Sequence, residues 1–116
     1  MTIALDQPDA EQDIHAEEEP TWHLSLAYDG SDFHGWQIQP ECRTVQGELQ
    51  RRLALLFRRP DLRTAGTSRT DAGVHALDQH VTFQAAAPAG MDGEQLCSVL
   101  NRWLPEDIRV HSATRC

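Results

Sequence analysis

The chain has 116 residues, enough for one domain with a single core, and its 40% hydrophobic content can pack one. No run of about 18 apolar residues occurs, which excludes a membrane-crossing helix. The net charge of −8 is set by one end: residues 1–20 hold seven acids and neither arginine nor lysine, leaving 11 acids against 10 arginines in the rest.

In chain order, residues 1–20 combine those acids with few aliphatics and two prolines, so a disordered acidic tail is expected there, ahead of a folded unit over 21–116. It lacks the basic start and apolar stretch of a signal peptide. Trp22, Leu24, Leu26 and Tyr28 alternate with His23, Ser25 and Ala27, the pattern of a half-buried strand. A loop with two glycines and a proline follows. Thr44 can cap a helix with the apolar stripe Val45, Leu49, Leu53 and Leu56, ended before Pro60 with Arg58 and Arg59 at its negative end. Leu62–Thr67 and His80–Gln84 are expected as short strands. Asp92 and Gln95 have capping-box spacing, and Leu96, Val99, Leu100 and Trp103 form the stripe of a second helix stopped by Pro105. Ile108 and Val110 open a last strand. The order β-α-β-β-α-β predicts an α+β fold of the ferredoxin-like, split βαβ kind with an antiparallel sheet.

Cys42, Cys97 and Cys116 are odd in number and lack CxxC spacing, which argues for a reducing, cytoplasmic setting without disulfides or zinc. Between strands two and three, "TSRTDAGVHA" (67–76) sets Asp71 between Arg69, Gly73 and His75. Taken singly, Asp71 suits an Asx-turn, with Gly73 supplying a positive φ. Asp71, His75, Asp78 and His80 offer metal ligands but neither the carboxylate number nor the His/Cys spacing of a usual site. Asp71 has no nearby acid for paired-carboxylate catalysis, and Ser68 with His75 lacks a nucleophile elbow. A lone carboxylate nucleophile with Arg69 beside it stays open.

The string "SRTDAGVHA" (68–76) resembles the signature of the TruA-type tRNA pseudouridine synthases. "YDGSDFHGWQIQ" (28–39) is similar to the family's first-strand motif, and "TVQGELQRRL" (44–53) to the start of its first helix. The resemblance implies isomerisation of uridine to pseudouridine in the tRNA anticodon stem-loop, at nucleotide positions 38–40, without cofactor or metal. It implies Asp71 as nucleophile, attacking uracil C6 or ribose C1′, on a base removed from its stack. It casts Arg69 as the residue that holds the flipped base or fills its place, and Thr70 and Gly73 as shapers of the loop. His75, Gln79 and Gln37 are candidates for RNA contact or loop shaping.

Residues 51–63 hold five arginines against one acid, and Arg51 and Arg58, seven apart, are expected on one helical stripe where they can meet tRNA phosphates. Arg52 lies nearer the apolar stripe and is expected to snorkel. Related enzymes are about twice this long and commonly homodimeric. The expectation is therefore an N-terminal half with little or no activity alone. A non-catalytic RNA-binding or interaction domain on the same fold is the alternative.

Overall fold

The computed structural model describes residues 19–67, 71–86 and 91–115. The expected acidic tail therefore lies outside the described residues, apart from Glu19 and Pro20.

Strand β1 (Thr21–Tyr28) forms as its alternation dictates, with Trp22, Leu24, Leu26 and Tyr28 buried on one face. It is a central strand, paired antiparallel with β3 (Ala76–Gln84) on one side and β4 (Ile108–Arg115) on the other. β2 (Ala65–Gly66) adds to the far edge of β3, giving the order β2-β3-β1-β4. Helices α1 (Val45–Leu56) and α2 (Gly93–Trp103) contribute Val45, Leu49, Leu53, Leu96 and Leu100 to the same core as the even-numbered face of β1. Burial of such side chains supplies about 1.5–3 kcal/mol each. The architecture is α+β, ferredoxin-like, as the element order predicts. The opposite sheet face stays polar: His80 Nδ1 lies 2.9 Å from His23 Nε2, and Ser25 Oγ donates to Asp78 at 2.6 Å.

Both helix starts follow their caps. Thr44 Oγ1 accepts from the Gly47 amide, and Asp92 with Gln95 forms a reciprocal capping box.

Four details differ from the sequence expectation. β2 is only two residues long, because the Thr64 amide and carbonyl are taken by the side chains of Gln50 and Gln46 on α1. β3 starts at Ala76 rather than His80; buried Gln79 and a bulge opposite Leu26–Tyr28 hide its alternation. In α2 the stripe ends early, with Trp103 45% exposed and buried Leu104 closing the core instead.

The fourth concerns Arg58 and Arg59, which lie beyond the last turn of α1. The Arg59 amide donates to Ala54 O at 2.9 Å and the Arg58 amide to Leu55 O at 3.3 Å, a Schellman termination. Arg58 occupies its left-handed position with φ 56°, where glycine is usual. Arg52 behaves as expected: its stem packs inward while Nε donates to Trp103 O at 2.8 Å and Nη1 engages the Glu48 carboxylate.

Relieving the left-handed strain at Arg58 defines a first expected outcome. Arg58→Gly should raise stability by ~0.5–1 kcal/mol, seen as a higher denaturant midpoint at unchanged m-value.

Candidate active-site loop

Tyr28 at the end of β1 pairs with Ala76 at the start of β3, so the segments that follow one and precede the other meet at one end of the sheet. The first, 29–39, is braced from three directions. The Asp29 amide donates to Asp107 O at 2.9 Å, the Val45 and Gln46 amides at the start of α1 donate to Gly35 O and Trp36 O, and Gln46 Oε1 accepts from the Ile38 amide. Arg43 adds a bidentate pair with Asp107 (3.0 and 3.2 Å) while its guanidinium lies 4.1 Å from the Phe33 ring centroid. Asp107, with Glu48 further off, holds Arg43 firmly charged. Trp36 and Phe33 are buried under this web.

The Asp71 loop is fastened to that braced segment through its backbone. The Gly73 amide donates to Phe33 O at 3.1 Å, and the Gly30 amide donates to His75 Nδ1 at 2.9 Å. Between these bonds the two backbones touch: a Cβ on Gly30 would lie 1.8 Å from Val74 O. Gly73 has φ 82° with open space around its Cα, so its glycine requirement comes from conformation and that of Gly30 from contact. Because His75 Nδ1 accepts from an amide, the neutral ring carries its proton on Nε2. Asp29 Oδ1 lies 3.2 Å from the same Nδ1 and also accepts from the Ser31 amide. The bonds with Ser31 hold the Asp29 carboxyl below its ordinary range, with the nearby His75 adding to the effect.

Asp71 itself is exposed, and its main-chain carbonyl closes the turn by accepting from the Val74 amide at 3.2 Å. Among the described residues its carboxylate accepts no hydrogen bond, so the Asx-turn expected from Asp-x-Gly does not form. Among the described residues the carboxylate has no structural partner, while the backbone beside it is fixed at Gly73 and His75.

Of the other sequence candidates, Gln37 is exposed on a cleft of about 210 Å³ shared with Trp36, Gln46, Thr64 and Gly66, at the exit of β2. Gln79 is only 2% exposed, its side chain close beneath Gly66 of β2. Arg69 and Thr70 lie outside the described residues. Arg51 and Arg58 do not reach this loop; both line a groove on the outer side of α1. The would-be metal set is also separated: Asp78 and His80 belong to the open sheet face with Ser25 and His23, whereas His75 faces Asp29. Among the described residues no group of three metal-ligating side chains comes together. Asp29 is the turn residue that its place before Gly30 suggests, its Oδ1 accepting from the Ser31 amide, whereas Arg43, Gln46 and Gln50 escaped sequence reasoning because their partners lie 14 to 64 residues away.

The structure is a split βαβ fold in which the backbone beside the exposed Asp71 is fastened to segment 29–39. Curated relatives of one name are similar to the chain. The chain is 48% identical over 89 residues to tRNA pseudouridine synthase A of Dictyoglomus turgidum, covering 77% of this chain and 36% of that one. It is 41% identical over 96 residues to the Aquifex aeolicus protein of the same name (83% and 39%), and 39% identical over 92 residues to that of Lacticaseibacillus casei (79% and 36%). The resemblance read from three motifs thus extends across most of the chain, which spans somewhat over a third of the length of these curated relatives. No family model matches it.

Two outcomes follow from the loop's fastening. Gly30→Ala should cost about 1–3 kcal/mol, because only backbone lies opposite the new methyl, and should speed hydrogen exchange at the Gly73 amide. Asp29 has a folded pKa below its unfolded one. Its contribution is therefore complete above the ordinary carboxylate pKa of about 4 and fades as pH falls through the lowered folded value. The Ser31 amide signal should follow that titration in NMR, and Asp29→Asn should remove the step.

Proposed function

We propose that this chain provides the aspartate-bearing part of a tRNA pseudouridine synthase, with Asp71 as the nucleophile. The observation that carries the reading is the exposed Asp71 carboxylate, unengaged among the described residues, on a loop whose neighbouring backbone is fixed by Phe33 O, Gly30 and His75. A nucleophile needs this combination: a preorganised main chain and a side chain free to reach carbon. The names and identities of the relatives support the reaction class.

In this reading a uridine leaves its stack in the anticodon stem-loop and meets Asp71. Attack at C6 or C1′ lets the N1–C1′ bond break. The uracil turns, a C5–C1′ bond forms, and the bond to Asp71 breaks, by displacement at C1′ or by elimination from C6; the C5 proton is lost and N1 takes up a proton. Product and substrate are isomers, so no oxidant, reductant or cofactor is consumed. Arg69 and Gln37 contact the displaced nucleotide or its neighbours, while Thr70 and Gly73 shape the loop. His75 combines its loop-fastening bond with an exposed Nε2–H that can donate to RNA. Arg51 and Arg58 bind phosphates on the outer side of α1. tRNA is the partner, in the cytoplasm where it is modified. The rest of the cleft comes from a second subdomain, and two such chains can pair across one tRNA.

Pseudouridine formation on an unmodified tRNA transcript tests this. The 116-residue chain alone should form little product, whereas a chain joining it to the remaining part of the Dictyoglomus turgidum relative should turn over. In that longer protein Asp71→Ala should lower kcat by roughly 10³-fold or more while leaving tRNA affinity within about threefold. A purely RNA-binding domain would retain affinity and show no turnover in any combination.

A further inference from the structure

β2 is an edge strand, and its pairing shows which way its backbone groups point. Ala65 and Gly66 lie opposite Thr82 and Val81, and the Thr67 amide donates to His80 O at 3.0 Å. Bonded and non-bonded pairs alternate along an antiparallel ladder, so Gly66, next to bonded Thr67, turns its N–H and C=O away from β3. Thr64 points the same way, and there Gln50 accepts from its amide while Gln46 donates to its carbonyl. Gly66 has no such partner among the described residues. Its backbone opens instead on the cleft of about 210 Å³ at the exit of β2. Behind that cleft the Trp36 indole is buried close against the strand, since a Cβ on Gly66 would lie 2.7 Å from its Cε2. Gln46 is fully engaged, accepting from the Ile38 amide and donating to Thr64 O and Oγ1. Exposed Gln37 makes no side-chain hydrogen bond among the described residues. The cleft therefore offers one free N–H, one free C=O on the same residue, and a carboxamide that can donate or accept.

We propose that this cleft binds a nucleobase by its lactam edge, the ring N–H beside a carbonyl that uracil and guanine carry, in an RNA nucleotide neighbouring the displaced one. The ring N–H donates to Gly66 O, the adjacent ring carbonyl accepts from the Gly66 amide, and Gln37 meets the next polar group of the ring. Such a lactam presents the same side-by-side donor and acceptor that a paired strand residue would present to Gly66. A whole strand fits less well. It would need free backbone at every second residue, and the groups of Thr64 are already taken by Gln46 and Gln50. A flat ring needs one such residue only, and unstacked RNA bases are read along these edges. Gly66 ends β2 and Asp71 lies in the connection that follows, so a base held here belongs to the same stretch of RNA. The assignment rests on the RNA-modifying reading above and gives Gln37 a defined ligand within it.

NMR spectra of the full chain test the site, with uridine 5′-monophosphate as the probe. The nucleotide should shift the Gly66 amide and the Gln37 side-chain NH2 signals. 3-Methyluridine 5′-monophosphate, which lacks the ring N–H, should bind roughly tenfold more weakly, and Gln37→Ala at its exposed position should weaken the unmethylated probe by roughly two- to tenfold. Equal binding of the methylated probe would overturn the proposal. So would equal shifts from ribose 5-phosphate, which would mark a phosphate site. Displacement of the nucleotide from Gly66 by a valine–threonine hexapeptide would overturn it too, as the sign of a strand-binding edge. Pseudouridine formation by the longer protein is read separately. Turnover that depends on Asp71, without a Gly66 shift, removes this site and leaves the synthase reading standing; the Gly66 shift without turnover supports the site and removes the synthase reading.

Discussion

The contact between the Gly30 and Val74 backbones determines where the candidate nucleophile can be. Two main chains approach this closely only if one lacks a Cβ, and the flanking bonds from Gly73 to Phe33 O and from Gly30 to His75 hold only at that separation. The loop so fastened belongs to the connection between an edge strand and its neighbour, a place where backbone would otherwise be free to move. Its anchor is rigid in turn, because segment 29–39 is tied to the start of α1, to Arg43 and to the entry of β4. Precision at Asp71 is thus borrowed from α1 and β1, not generated within its own loop.

The arginines divide between structure and solvent in a way composition conceals. Arg43 and Arg52 are structural: one joins the first loop to β4 through Asp107, and the other joins α1 to the end of α2 through Trp103 O. Arg59 is held by Asp61 and Glu19. What remains for a polyanion near α1 is Arg51, partly satisfied by Glu48, exposed Arg58, and Arg63, which donates only to the main-chain carbonyls of Asp61 and Leu62. An arginine where a helix terminus favours glycine costs stability, and a surface role for its charge is one reason to keep it.

Much of the fold was legible because β1, α1 and α2 write their burial in periodic form: Trp22 to Tyr28 at every second residue, Val45, Leu49 and Leu53 at helical spacing, Thr44 and Asp92 as caps. The edges were less so. β2 shortened because glutamine side chains from α1 captured the Thr64 backbone, an interaction across 14 and 18 residues that no local pattern encodes. The first turn of β3 was hidden by a buried glutamine and a bulge. Within the site, glycine at 73 was readable as turn chemistry, but glycine at 30 required knowledge of what lies opposite it. Asp71 was ambiguous for a deeper reason. A catalytic carboxylate and an Asx-turn carboxylate share one local sequence, and only the tertiary hydrogen bonds separate them.

The α1 helix presents two surfaces that meet at Ile38 and Gln50. Its amino-terminal turn holds Thr64 and the 29–39 segment, and through them the Asp71 loop, whereas its outer side forms the groove with Leu55 and Arg58. No groove-lining residue belongs to 71–76, yet Ile38 and Gln50 serve both surfaces: the Ile38 amide donates to Gln46 and Gln50 accepts from the Thr64 amide, while both residues line the groove. Occupancy of the outer side can therefore reach the support of the Asp71 loop through Ile38 and Gln50. One helix thus supports the loop's backbone from its amino-terminal turn and forms the groove with its outer side.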